Sequence, residues 1–351
     1  MEDLSTYNLF IGLDVHKRSW SVSIFAGHIH HRTFTQPPEP IALKSYLDKH
    51  FPTAKVICAY EACKIGFWIC RDLESYGYRC LVVNAADIPT THKETTEKTD
   101  PIDSRKIAKA LRAGLLRGIH VPSIEVEGHR QLFRYRKKLW AELVRIKNRI
   151  KDKLLFAGIP IPTEFDNAYW SKAFLVWISQ VQFESKNTKL TVNFLLEHYH
   201  FTYRHLLKVA IQVRKIQRLA KYKQQAKLLR GIPGIGPLTT VQLLIELESI
   251  DRFPSFKHFN SFIGLKPTSH SSGERDVKGY MTNRRHKALR SALIECAWSC
   301  VQKDPAMLMR YEELTKSHTK KRSIVIIARK LVSRIYHVLK TGEEYEIGLV
   351  K

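Results

Sequence analysis

Four carboxylates in the first third of the sequence have the residue type and placement that metal-assisted phosphate chemistry requires. Asp14 and Glu61 each follow a short apolar run, whereas Asp100 and Asp103 stand three residues apart at the predicted start of a helix and so project from one face. Mg²⁺ prefers carboxylate oxygens, and two such ions stabilise the attacking and leaving oxygens of a phosphodiester. Each residue alone also fits turn chemistry or, for Asp100 before Pro101, helix N-capping.

A small polar segment in the last third of the sequence contains two candidate nucleophiles. Ser271 and Ser272 precede Gly273 and follow the run Gly264-Leu265-Lys266-Pro267. A serine hydroxyl is a weak nucleophile unless a base or a metal activates it. From residue types alone, Ser-Ser-Gly therefore indicates an ordinary loop.

A glycine- and proline-rich segment over residues 231–237 separates a basic helical pattern from an apolar one. Its order, apolar-Pro-Gly-apolar-Gly before a helix, is typical of helix-hairpin-helix motifs. Gly234 and Gly236 are predicted to let the chain approach a phosphate closely, next to the free N–H groups of the following helix. Such contacts position DNA or RNA without reading the base sequence. The alternative interpretation is a simple turn between two helices.

The net positive charge of the chain belongs almost entirely to residues after position 128. The net charge is +25; residues 1–128 hold 16 Lys and Arg against 15 Asp and Glu, whereas residues 129–351 hold 42 against 18. Basic residues concentrate in four stretches, 129–153, 204–230, 275–290 and 316–340. A basic run is usually a solvated helix face, but four of them with so little acid favour a polyanionic partner such as nucleic acid.

Strand and helix patterns alternate over residues 1–124 in the order β-β-β-α-β-α-β-α. Strands are predicted at 9–13, 20–25, 30–35, 55–60 and 79–83, and helices at 41–50, 65–77 and 100–113. This order predicts a mixed sheet with helices packed on it, and it places Asp14 and Glu61 at the ends of strands.

Residues 125–230 show the spacing of long amphipathic helices. One apolar stripe runs from Leu132 to Leu154 and predicts a helix of roughly 35–40 Å. A second stripe, from Val209 to Leu229, predicts another long helix. We expect an antiparallel helical spacer whose basic faces touch nucleic acid or a second protomer.

The remaining residues, 231–351, are predicted to be mainly helical, with closing helices at 288–301 and 323–339. The expected fold is therefore α/β plus all-α. The expected domains are a metal-binding catalytic domain at 1–124, a helical, coiled-coil domain at 125–230 and a C-terminal domain with the serine loop at 231–351.

Cysteine usage and hydropathy predict an intracellular protein that does not act at a membrane. The six cysteines show neither zinc-ligand nor CxxC spacing and are predicted to be reduced core residues. No apolar run reaches the roughly 18 residues of a transmembrane helix, and the acidic N-terminus does not resemble a signal peptide. We expect a cytoplasmic, nucleoid-associated location.

Three motifs give the sequence a specific resemblance, namely IGLDVHK at residues 11–17, YEA at 60–62 and KTDPIDSRKIA at 98–108. With these motifs the chain resembles the DEDD transposases of bacterial insertion sequences, the bridge-RNA-guided recombinases of the IS-one-ten family. The resemblance covers essentially the whole chain. It implies a RuvC-like, ribonuclease-H-type N-terminal domain, a coiled-coil insert used in assembly and a C-terminal transposase domain.

The resemblance also implies a cofactor, a nucleophile and partners. The family's metal-binding tetrad falls on Asp14, Glu61, Asp100 and Asp103. Mg²⁺ is the implied cofactor, with Mn²⁺ as a substitute. The family's nucleophilic serine directly precedes a glycine, which matches Ser272 better than Ser271. The implied partners are donor and target DNA, a structured noncoding guide RNA and further copies of the chain in a dimer or tetramer.

The segment after the serine departs from the family pattern. Relatives carry Gly-Asn before Leu-Arg, where this chain has Arg285 and His286. The extra basic groups of this region are predicted to bind phosphate. The candidates are Arg275, Arg284, Arg285 and Lys287.

The leading hypothesis is an insertion-sequence transposase that cuts and rejoins DNA through a phosphoserine intermediate on Ser272. A first alternative is a metal-dependent, structure-specific endonuclease such as a junction resolvase, which uses the carboxylates with water and forms no serine adduct. A second alternative is a non-catalytic nucleic-acid-binding scaffold, in which the carboxylates are dispensable.

Overall fold

The computed structural model describes residues 7–90, 99–167, 169–272, 275–281 and 286–348. The chain divides into two compact units, residues 1–122 and 123–351. Arg284 and Arg285, which were predicted to bind phosphate, lie outside the described residues. In the described part of the chain, none of the helices combines the length and the apolar character that crossing a bilayer requires.

The first unit is built around a five-stranded mixed sheet. Its elements are β1 (Leu9–Val15), β2 (Trp20–Ala26), β3 (Ile29–Gln36), α1 (Pro40–His50), β4 (Val56–Glu61), α2 (Trp68–Ser75), β5 (Arg79–Val83) and α3 (Asp100–Arg112). The strand order is β3-β2-β1-β4-β5, with β1 antiparallel to β2 and parallel to β4. The predicted mixed sheet with packed helices is confirmed, because the buried apolar runs form its strands in the expected order.

The second unit contains a long helical arm and a mainly helical C-terminal region. Its elements are α4 (Ile124–Phe156), α5 (Lys172–Gln180), α6 (Lys186–Ile216), α7 (Ala220–Gly231), α8 (Pro237–Leu247), α9 (Phe256–Ile263), β6 (Pro267–Ser272), β7 (Arg275–Met281), α10 (Lys287–Lys303), α11 (Pro305–Ser317) and α12 (Lys320–Thr341). Helices α4, α5 and α6 share one apolar cluster, and a second cluster holds α7 to α12 together. With 33 residues, α4 is about 50 Å long, which exceeds the predicted length.

One predicted helix is interrupted. The apolar stripe from Val209 to Leu229 predicted a single helix, but α6 ends at Ile216 and α7 begins at Ala220. Leu219 at the break is extended, with φ −61° and ψ 142°. Buried residues on both sides of the break pack in the same core. The spacing of apolar residues alone therefore could not reveal the turn.

Candidate active site

The strand register brings Asp14 and Glu61 to neighbouring positions on one face of the sheet. Strands β1 and β4 are parallel neighbours in which Leu13 pairs with Tyr60, so Asp14 and Glu61 come next along the two strands. Leu13 and Tyr60 belong to the apolar layer shared with α1 and α2. Because side chains alternate along a strand, Asp14 and Glu61 belong to the opposite face, on which α3 packs.

Gly12 allows α3 to approach β1 closely enough to bring the first turn of the helix to Asp14. A Cβ atom on Gly12 would lie 2.1 Å from the carbonyl oxygen of Ser104 and 2.4 Å from the backbone nitrogen of Ala108. Side chains do not tolerate such distances, so only glycine fits position 12 at this spacing of helix and strand.

A cluster of buried hydroxyls holds α3 in place on β2. Ser104 is fully buried, and its Oγ lies 3.0 Å from Ser21 Oγ and 2.9 Å from Ser23 Oγ. Ser23 Oγ in turn lies 2.8 Å from Thr33 Oγ1 on β3. Buried hydroxyls need partners, so these hydrogen bonds favour one position of the helix. Sequence reasoning missed these residues, although two serines alternating with apolar residues in a buried strand were an available signal.

Asp14, His16 and Asp100 form a polar cluster beside the start of α3. His16 Nε2 lies 3.2 Å from Asp14 Oδ2 and 3.7 Å from Asp100 Oδ1. One ligand-type atom from each of the three residues lies within 4.8 Å of the others. His16 was part of the first motif, but sequence reasoning gave it no role of its own.

Asp100 is the first residue of α3 rather than its N-cap. The N-cap is Thr99, with φ −140° and ψ 151°, and its side chain makes no capping hydrogen bond. Pro101 occupies the second helical position, where its missing N–H is no loss because that group has no partner within the helix. The capping interpretation of Asp100 was therefore wrong, and its carboxylate faces His16 instead.

Asp103 and Glu61 lie outside the cluster of Asp14, His16 and Asp100. Asp103 Oδ1 accepts a hydrogen bond of 2.7 Å from Lys106 Nζ, and both of these side chains are largely buried. Glu61 is exposed at the end of β4. The structure thus brings two of the four predicted carboxylates within ligand distance of each other, and a lysine neutralises the third.

The electrostatics of the cluster fit a divalent cation. Burial raises the pKa of Asp14; His16 opposes the shift, and the negative charges of Asp100 and Asp103 add to it. A cation among these carboxylates would relieve the repulsion and favour the ionised form. Carboxylates suit Mg²⁺ or Mn²⁺, whereas imidazole is a more usual ligand of zinc and copper. His16 therefore fits a hydrogen-bonding role toward Asp14 better than a role as a Mg²⁺ ligand.

The candidate nucleophiles lie in a β-hairpin of the second unit. Strands β6 and β7 pair antiparallel, with Ser271 opposite Asp276 and Ser272 opposite Arg275. Ser272 is the last residue of its strand, whereas residue types alone predicted an ordinary loop. Small polar residues are a weak local signal for a strand, and the pairing with β7 supplies the backbone hydrogen bonds that the local sequence does not reveal.

A hydrogen bond to a buried carboxylate holds the residue that follows this hairpin. His286 caps α10 by accepting the Leu289 N–H at Nδ1, and its Nε2 lies 3.2 Å from Oε2 of Glu246 in α8. The backbone N–H of His286 also donates to the carbonyl oxygen of Phe262, at 3.3 Å. At the expected departure from the family pattern, His286 thus caps α10 and contacts Glu246.

Glu246 connects three helices through its charge. Its side chain is only 7% exposed, and Arg130 Nε and Arg134 of α4 each lie 3.5 Å from a carboxylate oxygen. Burial alone would raise the pKa of Glu246, but the hydrogen bond from His286 and the charges of both arginines outweigh burial and lower it. The carboxylate is therefore ionised at neutral pH, and it ties α4 and α8 to the start of α10.

The two glycines predicted to meet a phosphate have different surroundings. Gly234 has φ 87°, and a Cβ atom there would lie 2.5 Å from the carbonyl oxygen of Cys296 and 2.8 Å from the nitrogen of Cys300 in α10. The close approach that Gly234 permits is thus to a helix of the same unit. Gly236 is the N-cap of α8 and has open space where its Cβ would be, so it is the better candidate for contact with a phosphate. Lys287 is exposed at the start of α10.

Two family models match this chain. The DEDD transposase model of the IS110 type, described as Transposase, matches residues 11–158, and the model described as Transposase IS116/IS110/IS902 family matches residues 226–312. The first match contains the whole polar cluster, and the second contains the serine hairpin and both glycines.

Individual relatives agree with these models. The chain is 27% identical to the putative transposase y4rJ of Sinorhizobium fredii, over 86% of the chain and 81% of that protein. It is 24% identical to the transposase for insertion sequence element IS1533 of Leptospira borgpetersenii, over 72% of the chain and 74% of that protein. A shorter match, 34% identical over 35% of the chain and 39% of the relative, is to the pilin gene-inverting protein of Moraxella bovis.

The resemblance inferred from the three N-terminal motifs is confirmed by these matches, which place transposase models on both compact units. Since the two models together cover about two thirds of the sequence, the chain belongs to the IS116/IS110/IS902 family of transposases.

Proposed function

We propose that this transposase cuts and rejoins DNA through a serine nucleophile assisted by Mg²⁺, with Mn²⁺ as a substitute. The proposed metal-binding residues are Asp14, Glu61, Asp100 and Asp103. The observation that carries the proposal is the assembly of Asp14, His16 and Asp100 where α3 packs on β1. When bound there, Mg²⁺ would stabilise the negative charge that develops on phosphate oxygens.

The residues around the metal have proposed roles of their own. His16 orients the Asp14 carboxylate through the hydrogen bond from Nε2. Lys106 holds Asp103 until a metal or a phosphate competes for it. Gly12 and Ser104 keep α3 at the distance that brings Asp100 to Asp14.

The proposed nucleophile is Ser272, with Ser271 as the alternative. Its Oγ forms a bond to phosphorus while the bond between phosphorus and the leaving sugar oxygen breaks. The hydroxyl proton passes to a base, and the leaving oxygen takes up a proton. One phosphate ester replaces another, so the reverse reaction rejoins DNA without ATP. The position of Ser272 at the end of β6, directly before a glycine as the resemblance implies, supports this assignment.

The proposed partners are donor DNA, target DNA and a structured noncoding RNA that supplies sequence recognition by base pairing. The protein would then contact the shape and backbone of the nucleic acids. The excess of basic residues after position 128 supports contact of the protein with the nucleic-acid backbone. The proposed phosphate contacts are Gly236, Arg275, Arg284, Arg285 and Lys287.

We assign assembly into a dimer or tetramer to the helical middle, residues 125–230, between the metal domain at 1–124 and the serine domain at 231–351. Helix α4 exposes Trp140 and Leu155, with exposed fractions of 52% and 79%, and α6 exposes Phe201, at 64%. Large apolar side chains on two packed helices are typical of a protein interface.

The experiment that tests the serine is incubation of the purified protein with Mg²⁺, the element's noncoding RNA and DNA carrying an element end, followed by a denaturing gel. We expect protein covalently attached to DNA in the wild type, and none with Ser272→Ala. Ser271→Ala is the matched control and should still form the adduct. If both variants recombine DNA normally, the serine mechanism is wrong. Cleavage without any adduct would instead favour the metal-dependent endonuclease, which uses water.

A further inference from the structure

An acidic segment of the chain lies in a basic groove between α11 and α12. The groove is lined by Arg310 and Glu313 of α11, which pair with each other, and by Lys330, Arg334 and His337 of α12, and the segment 343–348 lies along it. The three α12 residues are spaced by four and three positions, so they share one face of the helix. The carboxylates of the segment are Glu343, Glu344 and Glu346.

The side-chain contacts that hold this segment are exposed. His337 Nε2 lies 3.5 Å from Glu343 Oε2, and Lys227 Nζ of α7 lies 2.5 Å from Glu344 Oε1. All four side chains are more than 60% exposed. Solvent screens exposed contacts of this kind and leaves them weak, so a stronger anion can displace these carboxylates.

The acidic segment does not use all of the positive charge in the groove. Lys330 and Arg334 are exposed and have no ion-pair partner among the residues that the structure describes. Residues 316–340, which include α12, contain eight Lys and Arg and no Asp or Glu. Arg310 is already paired with Glu313 at 2.7 Å, so Lys330 and Arg334 are the groove cations that a phosphate backbone could pair with.

One partly buried contact fixes where the segment lies. The hydroxyl of Tyr345 donates to Oδ2 of Asp304 at 2.5 Å. Asp304 is 1% exposed, and its Oδ1 accepts two backbone N–H groups at the start of α11. The segment thus has a defined position on the groove, but one partly buried hydrogen bond and two exposed side-chain contacts hold it there.

We propose that the groove between α11 and α12 binds the phosphodiester backbone of nucleic acid, and that the acidic segment 343–346 competes for it within the same chain. A nucleic acid carries closely spaced phosphates and releases counterions when it binds lysine and arginine, so it can displace the weakly held carboxylates. The segment then lowers the affinity of the groove for nucleic acid, so that only a long or well-placed nucleic acid displaces it. This function is independent of the serine chemistry proposed above.

The test compares variants of equal net charge for binding of a short duplex DNA, measured by fluorescence anisotropy with the full-length protein. The groove variant replaces three carboxylates of the segment: Glu343→Gln, Glu344→Gln and Glu346→Gln. The control variant replaces three exposed carboxylates in or between helices α4, α5 and α6: Asp152→Asn, Glu184→Gln and Glu197→Gln. We expect the groove variant to bind on the order of fivefold more tightly than the control, because only it frees the groove.

A second pair of substitutions tests whether the tighter binding depends on the basic residues of the groove. In a background of Lys330→Gln and Arg334→Gln, the advantage of the groove variant over the control should disappear. Repeating the titration with a structured RNA shows whether the groove variant binds DNA or RNA more tightly than the control does. Tighter binding of either nucleic acid supports the proposal. If the groove and control variants bind both nucleic acids equally, or if the gain persists without Lys330 and Arg334, the proposal is wrong. The measurement reports binding alone, so inactivity of the transposase does not affect its outcome.

Discussion

Gly12 and Ser104 determine how near the helix that carries Asp100 comes to the strand that carries Asp14. The carboxylates could be predicted from the sequence because they stand at recognisable strand ends and at a helix start. The roles of Ser104 and Gly12 could not, because Ser104 meets Ser21 across 83 positions of sequence. Such a contact depends on how helix and sheet pack, which no local pattern encodes.

Gly12→Ala should therefore separate α3 from β1 and disturb the site. The added methyl group would overlap the backbone of Ser104 and Ala108, so we expect a loss of about 1–3 kcal/mol in the free energy of unfolding, with a loss of DNA cleavage. Urea denaturation and a cleavage assay measure the two effects. Gly128→Ala is the control, because Gly128 lies in α4 with open space around its Cβ position and should gain about 0.5–1 kcal/mol. Wild-type stability and activity in Gly12→Ala would contradict the packing argument.

Glu246→Gln should destabilise the protein in a pH-dependent way. The pKa of Glu246 is lower in the folded protein than its ordinary value of 4.5, so the stabilisation is fully present above pH 4.5 and is lost as the pH falls. We expect the variant to lose on the order of 2 kcal/mol near neutral pH, because the partners of the charge are left unpaired. Urea denaturation of both proteins across this pH range checks the prediction. A difference that stays constant down to strongly acidic pH would show that charge is not the cause.

At the scale of elements, the β-β-β-α-β-α-β-α order followed from local patterns, but two junctions did not. The turn at Leu219 is hidden because the apolar stripe continues into the same core on both sides of it. The β6–β7 hairpin is hidden because Ser271 and Ser272 have little strand preference and depend on pairing with β7. Both features arise from contacts with the rest of the second unit.

The turn between α7 and α8 offers an element-scale prediction that separates packing from nucleic-acid contact. Gly234→Ala should destabilise the protein, because the left-handed backbone at Gly234 and its contact with α10 both exclude a Cβ atom. Gly236→Ala should change the free energy of unfolding by no more than about 1 kcal/mol and weaken nucleic-acid binding. Thermal unfolding and anisotropy titrations distinguish the two. Unchanged affinity of Gly236→Ala for nucleic acid would show that this turn does not contact it.

At the scale of the whole molecule, charge and chemistry are divided along the chain. The near-neutral first 128 residues contain the polar cluster of Asp14, His16 and Asp100, and nearly all of the net charge of +25 belongs to the residues that follow. The total charge predicted a polyanionic partner, and the structure refines that prediction. Part of the basic surface, the groove between α11 and α12, already holds an acidic segment of the same chain.

The most direct test of the proposed function is Mg²⁺-dependent DNA cleavage by Asp14→Asn, measured beside DNA binding by the same protein. We predict an unchanged Kd for DNA and a cleavage rate reduced by at least about a thousandfold, because the carboxylate would hold the metal rather than the nucleic acid. Asp48→Asn, at an exposed acidic residue of α1, should cleave at the wild-type rate. Cleavage by Asp14→Asn at the wild-type rate would contradict the assignment of Asp14 to the metal.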